Sequence, residues 1–258
     1  MSARRVIATL APKGGVGKTF VSKLLHDLLP MRGRRIASWD LDAATGTFAV
    51  YDDAIKTFDL HANGSGQSWL DDCYRDDVDD VLIDVPGGRI DDLLSTFGDN
   101  SARALVATVK ASGRELVAVN PIGAMVAETV TAQVVLNAFA GTGARIVIIK
   151  NGRFGSADDF VIYDGIEDNG TRRYGATGDL AASVGAETLF LPAIAPRLLA
   201  QADAERLRLD DAAGVKGTEK LGRLNAVRIQ MYLTSVAEAF RASSLDLDGD
   251  IPELVAGR

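Results

Sequence analysis

Pro12-Lys13-Gly14-Gly15-Val16-Gly17-Lys18-Thr19 decides how the chain is read. The apolar run Val6 to Ala11 precedes it, and a segment with helical spacing follows. Glycines let a backbone curl until successive N–H groups face one anion. The start of a helix adds favourable partial charge there, about 0.3–1 kcal/mol for an exposed anion. A strand before and a helix after are the setting that a phosphate-binding P-loop requires. Lys18 is then placed to reach β- and γ-phosphates, and the Thr19 hydroxyl to ligate Mg²⁺. Gly14, Gly15, Val16, Gly17, Lys18, Thr19 and the adjoining Phe20 form the expected phosphate-side contacts.

Outward from this loop, apolar runs alternate with helical segments. That pattern predicts an α/β fold, a P-loop NTPase with a mostly parallel sheet and helices on both faces. Strands are expected at Val6 to Ala11, Arg35 to Trp39, Val81 to Asp84, Leu116 to Asn120, Ile146 to Lys150 and Thr188 to Leu191. Helices are expected from Gly17 to Met31, where Val21, Leu24, Leu25, Leu28 and Leu29 recur at helical spacing. Others are expected at Ala124 to Ala140, Ala202 to Asp211 and Leu221 to Ala242, with a short one near Trp69 to Tyr74. Asp52 to Asp80 is acidic and glycine-containing. Gly152 to Gly178 is long for a connection and reads as a solvated insertion with some local structure, or as a functional or mobile loop. The tail from Ser243 is acidic. No repeat or linker divides the 258 residues, which read as one domain.

In open α/β sheets, ligand chemistry gathers at the carboxyl ends of strands. Asp40 and Asp42 stand there after the second strand and Asp84 after the third. Magnesium prefers oxygen ligands and keeps several waters. Asp84, closing Val81-Leu82-Ile83, reads as the carboxylate that holds the metal through such waters.

Composition narrows the setting. The net charge is −7, so the chain as a whole does not attract nucleic acid or anionic lipid, while a local basic patch stays open. One cysteine, Cys73, excludes an internal disulfide. No apolar run reaches the length of a membrane span, and the N-terminus lacks the pattern of a secretory signal, so cytoplasm is the expected compartment.

The early lysine in Lys13-Gly14-Gly15-Val16-Gly17-Lys18-Thr19 resembles the deviant Walker A motif of the ParA/MinD family of ATPases. The resemblance spans most of residues 4 to 211, although its specific motifs fill only a few dozen positions. It implies ATP and Mg²⁺ as cofactors, slow and partner-stimulated hydrolysis, and a nucleotide-dependent homodimer that positions DNA, a plasmid or a protein assembly. It implies that Lys13 crosses the dimer interface to the partner's nucleotide. Asp40-Leu41-Asp42 resembles the family's Asp-x-Asp segment. Asp42 would then position the attacking water, with Asp40 in a supporting place near the metal, beside Thr19 and Asp84. Asn151 after the fifth strand would read the adenine edge, and Pro192 and Ala193 would cover the base. The lack of a segment before the first strand and the long insertion after Asn151 resemble the TraL-like members of conjugative and plasmid systems.

The chain departs from that family at three places. Pro12 replaces the first glycine, Ala43 to Gly46 replaces Pro-Gln-Gly, and Asp84-Val85-Pro86-Gly87 replaces Asp-x-Pro-Pro. These changes leave two alternatives open: a weakly hydrolysing nucleotide-binding scaffold, and a metabolic phosphotransferase. His26 and His61 have no nucleophile at catalytic spacing and read as structural. Arg172-Arg173 reads as a solvated pair, with an arginine finger as the alternative. Arg223, Arg228 and Arg241 fall in ordinary amphipathic patterning on the last helix.

Overall fold

The computed structural model describes residues 3–42, 46–60, 68–97, 101–241 and 243–245. His61, Ala43 to Thr45 and the tail from 246 onward lie outside them.

Strands β1 (Arg5–Thr9), β2 (Ile36–Asp40), β3 (Lys56–Thr57), β4 (Asp80–Asp84), β5 (Glu115–Ile122), β6 (Arg145–Asn151) and β9 (Glu187–Leu191) form one sheet. Its order is β3-β2-β4-β1-β5-β6-β9. Every neighbouring pair is parallel. Parallel strands covered on both faces read as unbroken apolar runs, which is why Val6 to Leu10 and Ile146 to Ile149 show no alternation. Side chains still alternate between faces. Val6, Ala8 and Leu10 pack with one helical layer, and Ile7 with the other.

On one face, α1 (Lys18–Met31), α9 (Pro196–Ala204), α10 (Leu209–Ala213) and α12 (Arg223–Phe240) cover the sheet. Leu24, Leu25, Leu28 and Leu29 of α1 are fully buried there. Each such leucine contributes about 1.5–3 kcal/mol of transfer free energy. On the other face lie α2 (Trp69–Cys73), α3 (Ile90–Ser95), α4 (Ala102–Ala111), α6 (Ala132–Phe139), α7 (Val161–Asp164) and α8 (Ala176–Ser183).

Three expected helices are cut differently. The segment 124 to 140 divides into α5 (Val126–Val130) and α6. At the junction the Thr131 hydroxyl donates to the Ala127 and Glu128 carbonyls, and the Val134 N–H reaches only three residues back to Thr131. Side-chain bonding of this kind competes with the regular helical ladder. The segment 202 to 211 breaks at Arg206, where φ is +52°. Leu207 N–H closes the end of α9 on the Ala202 carbonyl. Gly222, at φ +83°, separates α12 from a further helix, α11 (Val215–Leu221).

The 152–178 insertion carries local structure. It holds two 3₁₀ turns, α7 and an antiparallel hairpin, β7 (Ile166–Asp168) with β8 (Thr171–Arg173), before α8 begins. Arg172 donates to the Asp164 carbonyl and lies 2.8 Å from an Asp179 oxygen. A Cβ at Gly165 or Gly175 would come within 2.8 Å of its guanidinium. Arg173 pairs with Asp168. The structure therefore gives Arg172 the work of fastening the insertion. Acting as an arginine finger would require breaking those contacts.

Candidate nucleotide site

The loop between β1 and α1 turns on Gly15 (φ +84°) and Gly17 (φ +99°). Gly17 starts α1 without any side-chain cap, so no side chain occupies the first N–H groups. Gly14 and Gly15 have open space where a side chain would stand. Lys18 folds back and is 8% exposed. Its ammonium lies against Gly87, where a Cβ would be 3.2 Å from Nζ and 3.3 Å from the Gly14 backbone. The segment Pro86-Gly87-Gly88 after β4 thus packs on the phosphate loop because its first glycine has no side chain. Burial pulls the Lys18 pKa down, while the charges of Asp84 and Asp42 raise it.

Asp84 closes β4 and is buried. One of its oxygens accepts from Thr9 Oγ1 (2.7 Å) and Ser22 Oγ (2.9 Å), and the other from Thr19 Oγ1 (2.8 Å). Burial pushes its pKa up. The three hydroxyl hydrogen bonds oppose that shift, and the Asp40 charge adds to it. The hydrogen-bond partners of this buried carboxylate are neutral hydroxyls, so a hard divalent cation would add to the compensation that Lys18 gives. The donor set, one hydroxyl and one carboxylate, suits magnesium, which takes few protein ligands and keeps water and phosphate oxygens. Among the described residues no group of three or more His, Cys, Asp or Glu side chains forms a self-sufficient metal site.

At the other side of Gly17, a cavity of about 280 Å³ is lined by Phe20, Asn151, Arg153, Pro192, Ala193 and Leu199, among others. Asn151 closes β6 and is buried. Its Nδ2 donates to the Val16 carbonyl (3.0 Å) and its Oδ1 accepts from Arg153 N–H (3.1 Å). One amide donor and one acceptor position remain for a base. Gly152 lets the end of β6 approach β9, since its Cβ would be 2.5 Å from the Leu191 carbonyl oxygen. That approach sets Pro192 and Ala193 beside Asn151. The fold thus brings Gly17, Phe20, Asn151, Pro192 and Ala193, far apart in sequence, around one cavity next to the phosphate loop.

The remaining expected residues are placed less uniformly. Asp42 is half-buried, and its charge is felt at Lys18. Asp40 spends both oxygens on backbone N–H groups: one on Asp42, the other on Phe48 and Ala49, each at 2.9 Å. It therefore shapes the segment that carries Asp42 and reaches the neighbouring Asp84 by its field. Lys13 pairs with a residue outside this cluster. Its side chain is 43% exposed and its Nζ is 3.9 Å from Glu128 Oε1.

No protein-family model and no curated protein matches the chain. Solved structures do. A nucleotide-binding protein from Archaeoglobus fulgidus in complex with ADP is 19% identical, with 79% of this chain and 87% of that chain covered, at a TM-score of 0.46. The cell division ATPase MinD of Pyrococcus furiosus is 16% identical, with 90% and 99% covered, at 0.45. A Cyanothece McdA–ATP complex is 13% identical, with 90% and 97% covered, at 0.44. At these identities and TM-scores the likeness bears on none of the residue roles.

Thr9 and Ser22, which hold Asp84, were not singled out in the sequence, although a threonine within an apolar strand and a serine three residues after Thr19 are visible signals. Arg153 was likewise missed, and Gly87 was read only as a departure from the family's Asp-x-Pro-Pro. His26 is structural: its ring nitrogens meet Ser38 Oγ (2.8 Å) and Asp52 Oδ2 (3.3 Å), and burial lowers its pKa.

Beside His26, Asp27 is fully buried on α1 and accepts from Tyr51 Oη (2.5 Å) and Leu209 N–H (3.0 Å). Its other oxygen has no hydrogen-bond partner. Burial, with the Asp210 charge adding to it, pushes its pKa up to about 7. Between about pH 4 and 7 the folded chain therefore holds a proton that the unfolded chain has released. Stability falls as pH rises through that window, by a few kcal/mol at most. Asp27→Asn is expected to flatten this slope. Urea unfolding at pH 5 and pH 8 measures it, and an unchanged difference between the two would refute the assignment.

Proposed function

We propose that this chain binds Mg·ATP at the 13–19 loop and hydrolyses it slowly, as a nucleotide-dependent dimerisation switch of the ParA/MinD kind. The observation that carries the reading is the convergence of three things. The Lys18 ammonium and Thr19 hydroxyl stand beside buried Asp84, uncapped N–H groups open α1, and a base-sized cavity adjoins them. Thr19 and Asp84 would hold the metal. When bound, Mg²⁺ neutralises charge on the phosphate oxygens. Lys18 supplies a second positive charge from a desolvated position, where it acts more strongly than in water. Asn151 presents its spare donor and acceptor to the adenine edge, and Pro192 and Ala193 border the ring. Asp42 positions the attacking water, and Lys13 crosses to the nucleotide of a second copy.

The output of such a switch would be the placement of DNA, a plasmid or a protein assembly, with a protein activator. The narrower TraL-like likeness rests on the 152–178 insertion. Arg197 and Arg228 line a cleft of about 370 Å³ with Asn225, and neither has an ion-pair partner among the described residues. They supply the local basic patch that a DNA contact would use despite the acidic whole. A DNA titration at rising salt tests this, since each phosphate contact steepens the salt dependence.

A phosphotransferase is the alternative reading. It needs an acceptor pocket beside the phosphate loop with binding residues of its own, and the sequence names none. Turnover with and without small acceptors separates the two.

Lys13→Ala tests the switch. It is expected to abolish ATP-driven association while changing ATP binding by no more than a fewfold. Sedimentation velocity with Mg·ATPγS and then Mg·ADP reads the first, and calorimetry the second. Equal loss of both would contradict an inter-subunit role.

A further inference from the structure

Glu128 is the only charged side chain between residues 116 and 144. It is 16% exposed at its side chain and makes an ion pair with Lys13 of the same chain. Among the described residues it is the only ion pair that either group makes. The carboxylate is held in place. Oε2 accepts from Met125 N–H at the start of α5 (3.4 Å). It also overlies Gly123, where a Cβ would come 2.0 Å from that oxygen. A side chain at position 123 would therefore evict it. Around the pair the surface is apolar: Met125, Val126, Val130 and Val134 are exposed, the last three at four-residue spacing.

We infer that Glu128 is a brake on nucleotide-driven association, holding Lys13 in its own chain until the partner's triphosphate competes for it. The inference rests on the dimerising reading above. In the free protomer the pair is hydrated and weak. Docking a second copy over the surrounding apolar surface removes water from Glu128. If Lys13 then leaves for the partner's phosphates, the carboxylate stays buried and unpaired, which is unfavourable. Glu128 therefore opposes the step that Lys13 promotes. The sign distinguishes this from a bridge between subunits, in which Glu128 would pair with the partner's lysine and favour association.

Glu128→Gln removes the charge and keeps a side chain that can still accept from Met125 N–H at the third helical position. The expected result is an ATPγS-driven association constant about two- to fivefold higher than wild type at low salt, the range of an exposed ion pair. The difference should narrow at high salt. A decrease, or no change at low salt, overturns the brake. A second readout does not depend on association. Pulse acetylation of the Mg·ADP form, followed by peptide mass spectrometry, should label Lys13 about two- to fivefold faster in Glu128→Gln. Equal labelling overturns the pair itself. If neither protein associates with ATPγS, the dimer reading fails and the brake with it, while the labelling still reports whether the pair exists.

Discussion

Lys18→Met is expected to weaken Mg·ATP binding by about a hundredfold or more while leaving the chain folded. A unit charge about 4 Å from a phosphate contributes about 4 kcal/mol at an effective dielectric of 20, against about 1 in water. Lys18 is 8% exposed, so its interaction belongs nearer the first figure. About 2.7 kcal/mol of net loss already gives a hundredfold change. Methionine keeps much of the buried apolar stem and lacks the ammonium that lies against Gly87. In the free chain the substitution also removes a positive charge near Asp84 and Asp42. Asp84 retains its hydrogen bonds from Thr9, Ser22 and Thr19, so a modest fall in melting temperature is the accompanying result. Calorimetry reads the affinity and a thermal scan the fold. Affinity within threefold of wild type would remove Lys18 from the phosphate site.

Gly17→Ala is expected to damage both loop and base cavity, with affinity again falling by about two orders of magnitude. Two separate causes act. The backbone there has φ +99°, a region L-residues with a Cβ avoid at a cost of about 1–2 kcal/mol. A Cβ would also stand 2.3 Å from Asn151 Nδ2. Asn151 must then move, breaking its bond to the Val16 carbonyl and leaving a buried acceptor unpaired. The two causes can be separated. In the Gly17→Ala/Asn151→Gly double variant the clash is gone, while the backbone strain remains and the Val16 carbonyl loses its partner only once. The double variant should therefore lose less stability than the sum of the single ones. Strict additivity would show that the Asn151 contact is not what fixes glycine here.

How much was legible in the sequence follows from what each residue's neighbours are. The phosphate loop and the six longer strands could be read because their signals are local: glycine spacing, and apolar runs buried on both faces. Strand β3, two residues long, carries no such signal. The helix α4 did carry one, with Ala102, Leu105, Val106 and Val109 buried at helical spacing, but it lies between polar, glycine-bearing stretches and was passed over. The break at Thr131 depends on one hydroxyl finding two carbonyls, which spacing does not reveal.

For the site, sequence named the residues better than their partners. Asp84 was visible as the end of an apolar run. Its hold by Thr9 and Ser22 depends on β1 and α1 folding against β4. Asp40 shows the same limit from the other side. Its carboxylate at a strand end reads as a metal group, but three amides from the segment after it take up its oxygens. Asn151 likewise carries a second duty, bracing Val16, that only the folded chain displays.

Titrating Mg·ATP into wild-type protein by isothermal calorimetry tests the central claim most directly. One saturable site per chain is predicted, weakened a hundredfold or more in Lys18→Met and present whether or not turnover is detected. A flat titration, in material with a cooperative unfolding transition, would contradict the assignment of residues 13–19 as a triphosphate site.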